Sequence, residues 1–419
     1  DPVHVLSGID LDDQGRASLG ESIDDLLGVS NADYGFATGQ PVIRGLSGSR
    51  VKILKNGMVS RDVAGIGADH PIEIDMNNVQ QIEVVRGPSS LLYANGGVGG
   101  IINIVDNTIA RQDFDGLNAN VDFEKQSVNR GSVKAFGITN NVKGINFNYS
   151  YENTDFENFD VPDGAVMHSE EEHDEHEGEE DHDEHEDEHG HGEEGPTTFS
   201  NDSYEIGTIL DLSTSNLGQK ISFNLTKEDQ SIIGDEAFMN PTKSDEYTVG
   251  YFISKDFSDH HLDFGVRYDS VSRNGSITEK EEHDEHEGEE DHDEHEEEEH
   301  HDEHEEEHGE QTFYNVDMSS ASLALTYTYD IDENVKFLIG AASVERAPSA
   351  LELFMNGPHL ATGRLETGNV NLNTERSNNI DLTLEFDIDN WFGNVSVYAN
   401  NITDYIYLQD ETEDDHEEE

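Results

Sequence analysis

The sequence has no cysteine and few basic residues, and each shortage excludes a class of function. Without cysteine there are no disulfides, thiolate metal sites or thiol nucleophiles, so a bound metal must be held by histidine, aspartate or glutamate. Only 23 lysines and arginines stand against 94 acids, which gives a formal net charge of −71. Nucleic acid and anionic membrane surfaces are therefore excluded as partners, and cations are the expected ligands.

Long apolar runs are also missing, which excludes membrane-spanning helices, because these need roughly 18–20 consecutive apolar residues. The strands of a membrane barrel need only about 9–11 residues of alternating character. From about Gly116 such alternation recurs in about eleven segments. In Asn379–Asp389, Ile380, Leu382 and Leu384 share one face, and polar residues occupy the other.

A soluble β-sandwich has the same alternation and remains an alternative at this point. The loops favour a barrel, because short polar turns at Asn140-Asn141, Asp330–Asn334 and Asp389-Asn390 alternate with much longer connections. Before this region, a small glycine-rich domain is predicted to contain a short helix and apolar strands, at Gly20–Leu27 and around Val51–Leu54, Gln81–Val85 and Gly100–Val105.

Two acidic tracts interrupt the strands, and Glu171–Glu186 is repeated letter for letter at Glu281–Glu296. Neither tract has the apolar residues to build a core, so both are predicted to be solvent-facing loops. They contain most of the 21 histidines, and we interpret them as metal-gathering loops. The histidines are His168, His173, His176, His182, His185, His189 and His191 in the first tract, and His283, His286, His292, His295, His300, His301, His304 and His308 in the second.

Three motifs resemble those of TonB-dependent outer-membrane receptors. Pro41-Val42-Ile43-Arg44-Gly45 and the stretch from Ile82-Glu83-Val84-Val85-Arg86-Gly87-Pro88 to Ile104 resemble the plug, and Glu345–Phe354 with Asn373–Asn379 resembles the barrel. The resemblance implies an all-β transmembrane barrel of about 22 strands around an N-terminal mixed α/β plug, in the outer membrane of a Gram-negative cell. It further implies a monomer in outer-membrane lipid, without enzymatic activity, that works with the TonB–ExbB–ExbD complex.

The resulting domain prediction is a plug at 1–112 and a partial barrel at 113–410, with acidic extracellular loops at 168–195 and 279–311. Residues 411–419 resemble the start of a further acidic loop. Because eleven strands are about half of the family's barrel, we expect the chain to be a fragment that ends inside an extracellular loop.

Asp69-His70 and Pro358–Gly363 are similar to the zinc-receptor (ZnuD-like) branch of the family. That resemblance nominates Asp69, His70 and His359 as metal ligands, with a further acidic ligand that the sequence does not place. It also suggests that Arg44 and Arg86 in the plug pair with barrel carboxylates such as Asp381. The adjacent His260 and His261 point to opposite faces of a strand, so we interpret them as rim residues.

These observations predict import of a divalent metal ion, zinc first, with copper, nickel and cobalt as other candidates and no catalytic cofactor. Two alternatives stay open. One is a TonB-dependent receptor for a siderophore or another metal chelate, and the other is a surface protein that buffers metal without transporting it.

Overall fold

The computed structural model describes residues 4–8, 18–35, 38–61, 65, 67, 70–108, 113–128, 130–157, 197–234, 237–278, 310–359, 364–388 and 390–410. The chain forms two compact units, Asp1–Pro196 and Thr197–Glu419. The predicted domain boundary at residue 112 lies within the first unit and stays a prediction. Among the described residues there is no helix that is long and apolar enough to cross a membrane.

The first unit contains a five-stranded sheet, a two-stranded hairpin and a short helix. Their order along the chain is β1 (His4–Ser7), α1 (Leu19–Ile23), β2 (Val29–Asp33), β3 (Gly39–Ile43), β4 (Val51–Lys55), β5 (Met58–Val59), β6 (Val79–Val85) and β7 (Gly100–Asp106). The sheet order is β1-β6-β7-β4-β5, with β4 and β7 parallel and the other pairs antiparallel. The three predicted strands are therefore confirmed.

Strand β7 lies at the centre of this sheet, and every one of its residues is buried. A strand covered on both faces appears in sequence as a continuous apolar run rather than as an alternation. It begins at Gly100, which has a φ of +122°, and a Cβ atom there would lie 2.8 Å from Cγ of Arg86. Glycine is therefore required for the close approach of these two segments.

Helix α1 is shorter than the predicted Gly20–Leu27. It begins after Ser18, whose hydroxyl accepts a hydrogen bond of 3.1 Å from the backbone N–H of Glu21. Beyond Ile23 the chain tightens, because the N–H of Leu26 donates to the carbonyl of Ile23 at 3.1 Å, only three residues back. The α-helical pattern ends there.

A three-stranded antiparallel sheet completes the first unit, with strands β8 (Asn118–Lys125), β9 (Ser132–Val142) and β10 (Ile145–Asp155). The predicted turn at Asn140-Asn141 is wrong, because both residues pair with β10. The chain reverses at Lys143 and Gly144, whose φ angles are 57° and 79°. A two-residue type I′ turn needs positive φ at both central residues, a requirement that alternation does not reveal.

The second unit is built on an eight-stranded antiparallel sheet. Its elements are β11 (Thr198–Asp211), β12 (Gly218–Ile233), β13 (Thr242–Phe257), β14 (His260–Thr278), β15 (Gln311–Asp332), β16 (Val335–Arg346), α2 (Ala350–Phe354), β17 (Asn356–His359), β18 (Arg364–Thr367), β19 (Glu375–Ile388) and β20 (Trp391–Thr403). The sheet order is β11-β12-β13-β14-β15-β16-β19-β20, so each strand pairs with its neighbour in sequence apart from the short hairpin β17-β18.

The large sheet exposes its apolar face and buries its polar face. Leu382 and Ile380 are 42% and 51% exposed, whereas Arg267 and Asp269 are 4% and 1% exposed. A β-sandwich buries its apolar face, so this orientation is that of a membrane barrel wall. The eight strands of this sheet and the three of the separate sheet β8–β10 make eleven long strands among the described residues, the number predicted.

Candidate metal centre

The connection between β16 and β19 carries His359, the predicted barrel ligand, and begins with a capped helix. The hydroxyl of Ser349 accepts a hydrogen bond of 3.2 Å from the N–H of Glu352, and the Glu352 carboxylate accepts one of 2.7 Å from the N–H of Ser349. This reciprocal capping box fixes the start of the short helix α2 after Pro348.

Arg346 anchors that helix to the barrel wall. Its guanidinium donates two hydrogen bonds to Glu352, of 2.8 and 2.9 Å, and two to Glu375, of 3.2 and 3.3 Å. Arg346 is 2% exposed and Glu375 0%. Burial alone would disfavour ionisation of Glu352, but the hydrogen bonds and charge of Arg346 outweigh it, so the pKa of Glu352 is lowered. The connection therefore leaves β16 at a fixed position.

Strand β17 is held by the neighbouring loop and by β14. Met355 forms an isolated antiparallel bridge with Met239. The N–H of Asn356 donates to the carbonyl of Phe238 at 2.7 Å, and its side-chain amide donates to the carbonyl of Thr278 at 2.7 Å. These bonds fix the start of β17, three residues before His359.

His359 is 6% exposed and lies between an aromatic ring and a carboxylate. Its ring stacks on Phe238, with centroids 5.2 Å apart and planes at 27°. Oε1 of Glu366 is 3.2 Å from Nδ1 of His359, and Glu366 is also 6% exposed. Two ligands of one tetrahedral zinc ion lie at about this separation, because each is about 2.0–2.2 Å from the metal.

Glu366 is an acidic residue close to His359 that the sequence analysis did not name. It lies on β18, where Gly357 pairs with Glu366 and His359 pairs with Arg364, so His359 and Glu366 are diagonal neighbours on one face of the hairpin. Residues 360–363 between the two strands are outside the described residues, and the four-residue strands are too short to show a period. No local pattern in the sequence therefore indicates this pair.

The remaining predicted ligands are not assembled in the described residues. His70 is half-buried, and its backbone N–H donates to the carbonyl of Gly67 at 3.3 Å. It belongs to the first unit, whereas His359 belongs to the second. Asp69 and all fifteen histidines of the two tracts lie outside the described residues. Within the described ranges, no cluster of three or more histidine and acidic side chains could hold a metal ion.

Comparison with known families decides what the two units are. The family described as TonB dependent receptor-like, beta-barrel matches residues 77–416, and the TonB-dependent Receptor Plug Domain matches residues 1–101. The chain belongs to the TonB-dependent receptors. The predicted plug and barrel are confirmed, and such receptors are transporters of the Gram-negative outer membrane that work with the TonB–ExbB–ExbD complex.

Solved receptors share this fold at low sequence identity. The copper transporter OprC matches with a TM-score of 0.63 and 12% identity, over 97% of this chain and 74% of that one. The hemophore receptor HasR of Serratia marcescens matches with 0.59 and 11%, over 96% and 73%. The ferric yersiniabactin receptor FyuA from Yersinia pestis matches with 0.55 and 11%, over 96% and 72%. Identities this low establish the fold alone.

The three residues proposed to join plug and barrel have defined places in the receptor. Arg44 has a φ of 51° and starts the turn that closes β3, and its N–H donates to the carbonyl of Gly28 at 2.9 Å. The side chain of Arg86 passes beside Gly100. Asp381 is on β19, where its carboxylate lies against Gly340 of β16. Their pairing stays a prediction, since it joins the two units.

Proposed function

We propose that this TonB-dependent receptor imports a divalent metal ion, with zinc as the first candidate, and that His359 and Glu366 form the barrel part of its binding site. The observation that carries the proposal is the buried His359 ring, with a carboxylate 3.2 Å from Nδ1. An imidazole nitrogen and a carboxylate oxygen this close together can bind one metal ion.

The donor set favours a borderline metal ion over a hard one. Zinc binds imidazole nitrogen and carboxylate oxygen, whereas Mg²⁺ and Ca²⁺ prefer oxygen ligands alone. His359 and Glu366 supply at most two ligands, and we propose that Asp69, His70 and water supply the others. An incomplete protein shell suits a transport site, because the ion must leave again.

The acidic histidine-rich tracts support the same cargo by their composition. Histidine pairs three residues apart, such as His173/His176 and His283/His286, can share one metal ion, and the surrounding acids raise the local cation concentration. Copper, nickel and cobalt also bind such pairs, because site affinity follows metal identity more than loop sequence. The tracts therefore concentrate metal ions, and the fixed site selects among them.

Uptake by cells that express the whole receptor tests the proposal. We expect His359→Ala and Glu366→Gln each to raise the KM for Zn²⁺ uptake roughly tenfold or more, because each removes one proposed metal ligand. His260→Ala is the matched control, because His260 bonds to Tyr327 and stacks on Tyr329, away from β17.

Three outcomes would contradict the proposal. Unchanged Zn²⁺ uptake in both His359→Ala and Glu366→Gln would eliminate the site. Uptake of a ferric or other metal chelate in preference to the free ion would replace the cargo with a siderophore or chelate. Metal bound at the surface with no entry into the cell would indicate buffering instead of transport.

A further inference from the structure

The hairpin of β13 and β14 carries a histidine between two aspartates, at the rim where the wall strands are joined by short turns. His260 follows the two-residue turn at Ser258 and Asp259 and pairs with Phe257. In outer-membrane barrels the short turns are on the periplasmic side. This group therefore lies at the opposite end of the wall from the connection that carries His359.

His261 and Asp263 are on the inward face of the wall. In strand β14 all residues at odd numbers from Gly265 to Gly275 are buried, whereas those at even numbers between them are partly or fully exposed. His261 and Asp263 continue that series, whereas Leu262 and Phe264 belong to the apolar face. A cation moving through the interior could reach the group, because the His261 side chain is 32% exposed and that of Asp263 15%.

Two oxygen atoms lie within hydrogen-bonding distance of one ring nitrogen of His261. Oδ1 of Asp263 is 3.0 Å and Oγ of Ser254 is 3.4 Å from Nε2 of His261. Two ligands of one tetrahedral zinc ion lie about 3.3 Å apart, because each is about 2.0–2.1 Å from the metal. On the other side of the ring, Oδ1 of Asp256 is 2.6 Å from Nδ1. That carboxylate fixes the orientation of the ring.

We infer that His261, Asp263 and Ser254 form a transit site for a divalent metal ion on the periplasmic side of the barrel interior, with Asp256 as the residue that positions His261. The inference rests on the proposed import of a metal ion. Nε2, Oδ1 and Oγ would each contribute one bond, and the ion would replace the proton held between Nε2 and Asp263, which is released to water. A weak hydroxyl ligand and an open coordination position allow the metal ion to exchange, as its release into the periplasm requires.

A structural role for the same group is the competing explanation, since a histidine between two aspartates also forms ion pairs. The two explanations differ in their response to metal. If the group is only an ion pair, Zn²⁺ should not change the reactivity of His261. If it is a transit site, bound Zn²⁺ should block other reagents from reaching Nε2. The adjacent residue, His260, is an internal control. Its Nδ1 is 2.7 Å from the hydroxyl of Tyr327, and its ring faces the other side of the strand.

The transit site and the structural ion pair can be distinguished by modifying the intact receptor with diethylpyrocarbonate. Mass spectrometry then measures the modification of each histidine. With Zn²⁺ as the probe we expect modification of His261 to fall at least fivefold, in the wild type and equally in His359→Ala, with no change at His260. Asp263→Asn should abolish the protection. In Asp256→Asn, protection should require a Zn²⁺ concentration that is roughly 10–100-fold higher. Mg²⁺ should not protect, because it prefers oxygen ligands.

Ser254→Ala removes one weak ligand without changing charge, so it tests the site even if Asp263→Asn does not fold. It should weaken protection without abolishing it. Modification of His261 that is unaffected by Zn²⁺, while His359→Ala impairs uptake, would overturn the transit site and leave the import proposal intact. If Zn²⁺ protects His261 but His359→Ala leaves uptake unchanged, the transit site would be supported and the proposed site at His359 refuted.

Discussion

Replacing Arg346 is the most informative perturbation of the connection that carries His359. The side chain satisfies two carboxylates, Glu352 and Glu375, through four hydrogen bonds, and it is 2% exposed. In Arg346→Leu the Glu375 carboxylate, which is 0% exposed, loses its counter-charge. Breaking a buried ion pair from one side costs about 3–5 kcal/mol, because a charge is left uncompensated in the interior.

The neighbouring pair on the same two strands, Glu345 and Arg376, provides a matched control. Arg376 pairs with Glu345 at 2.6 Å, but its side chain is 39% exposed, so Arg376→Leu should cost about 1 kcal/mol or less. The measurement is the free energy of unfolding by urea of the receptor refolded in lipid vesicles. The double variant Arg346→Leu/Glu375→Leu should recover part of the loss, since it removes the stranded charge as well. Equal costs for Arg346→Leu and Arg376→Leu would refute the reasoning.

Three further predictions concern the plug, the loop helix and the barrel wall. Gly100→Ala should destabilise the plug by about 1–3 kcal/mol, because its φ of +122° and the Arg86 side chain leave no room for Cβ, whereas Gly65→Ala, with open space around it, should be neutral in the same urea titration. The pKa of Glu352 is lowered in the folded receptor, so its charge stabilises the fold above its usual pKa of 4.5; this advantage over Glu352→Gln should disappear as the pH falls below that value in stability measurements. Leu382→Arg places a charge on the exposed apolar face and should cost about 2–4 kcal/mol if that residue faces the middle of the bilayer, as refolding yields in vesicles would show.

The site divides into a part that the sequence could indicate and a part that it could not. His359 could be nominated because it follows a motif of contiguous residues. Glu366 could not, because its relation to His359 is a diagonal across two four-residue strands. The grouping of Ser254, Asp256 and Asp263 around His261 likewise depends on the register between β13 and β14, which sequence spacing does not contain.

For the fold, local patterns were sufficient wherever the physical cause is local. Alternation with period two identifies the wall strands, since successive side chains of a strand point to opposite faces. The turn at Lys143 and Gly144 escaped this reasoning, because φ angles of 57° and 79° are imposed by the pairing of β9 with β10 and leave no trace in hydrophobicity.

By itself, the sequence determined that this protein is a receptor with a plug and a wall of alternating strands, and that any metal must bind through histidine and acids. Only the tertiary structure decided that the apolar face points outward, which distinguishes a membrane barrel from a sandwich, since both have the same alternation. It also decided which acids lie close to His359 and to His261. The physical reason is the same in both cases: the burial of a face and the partner of a charge depend on residues that are distant in the chain.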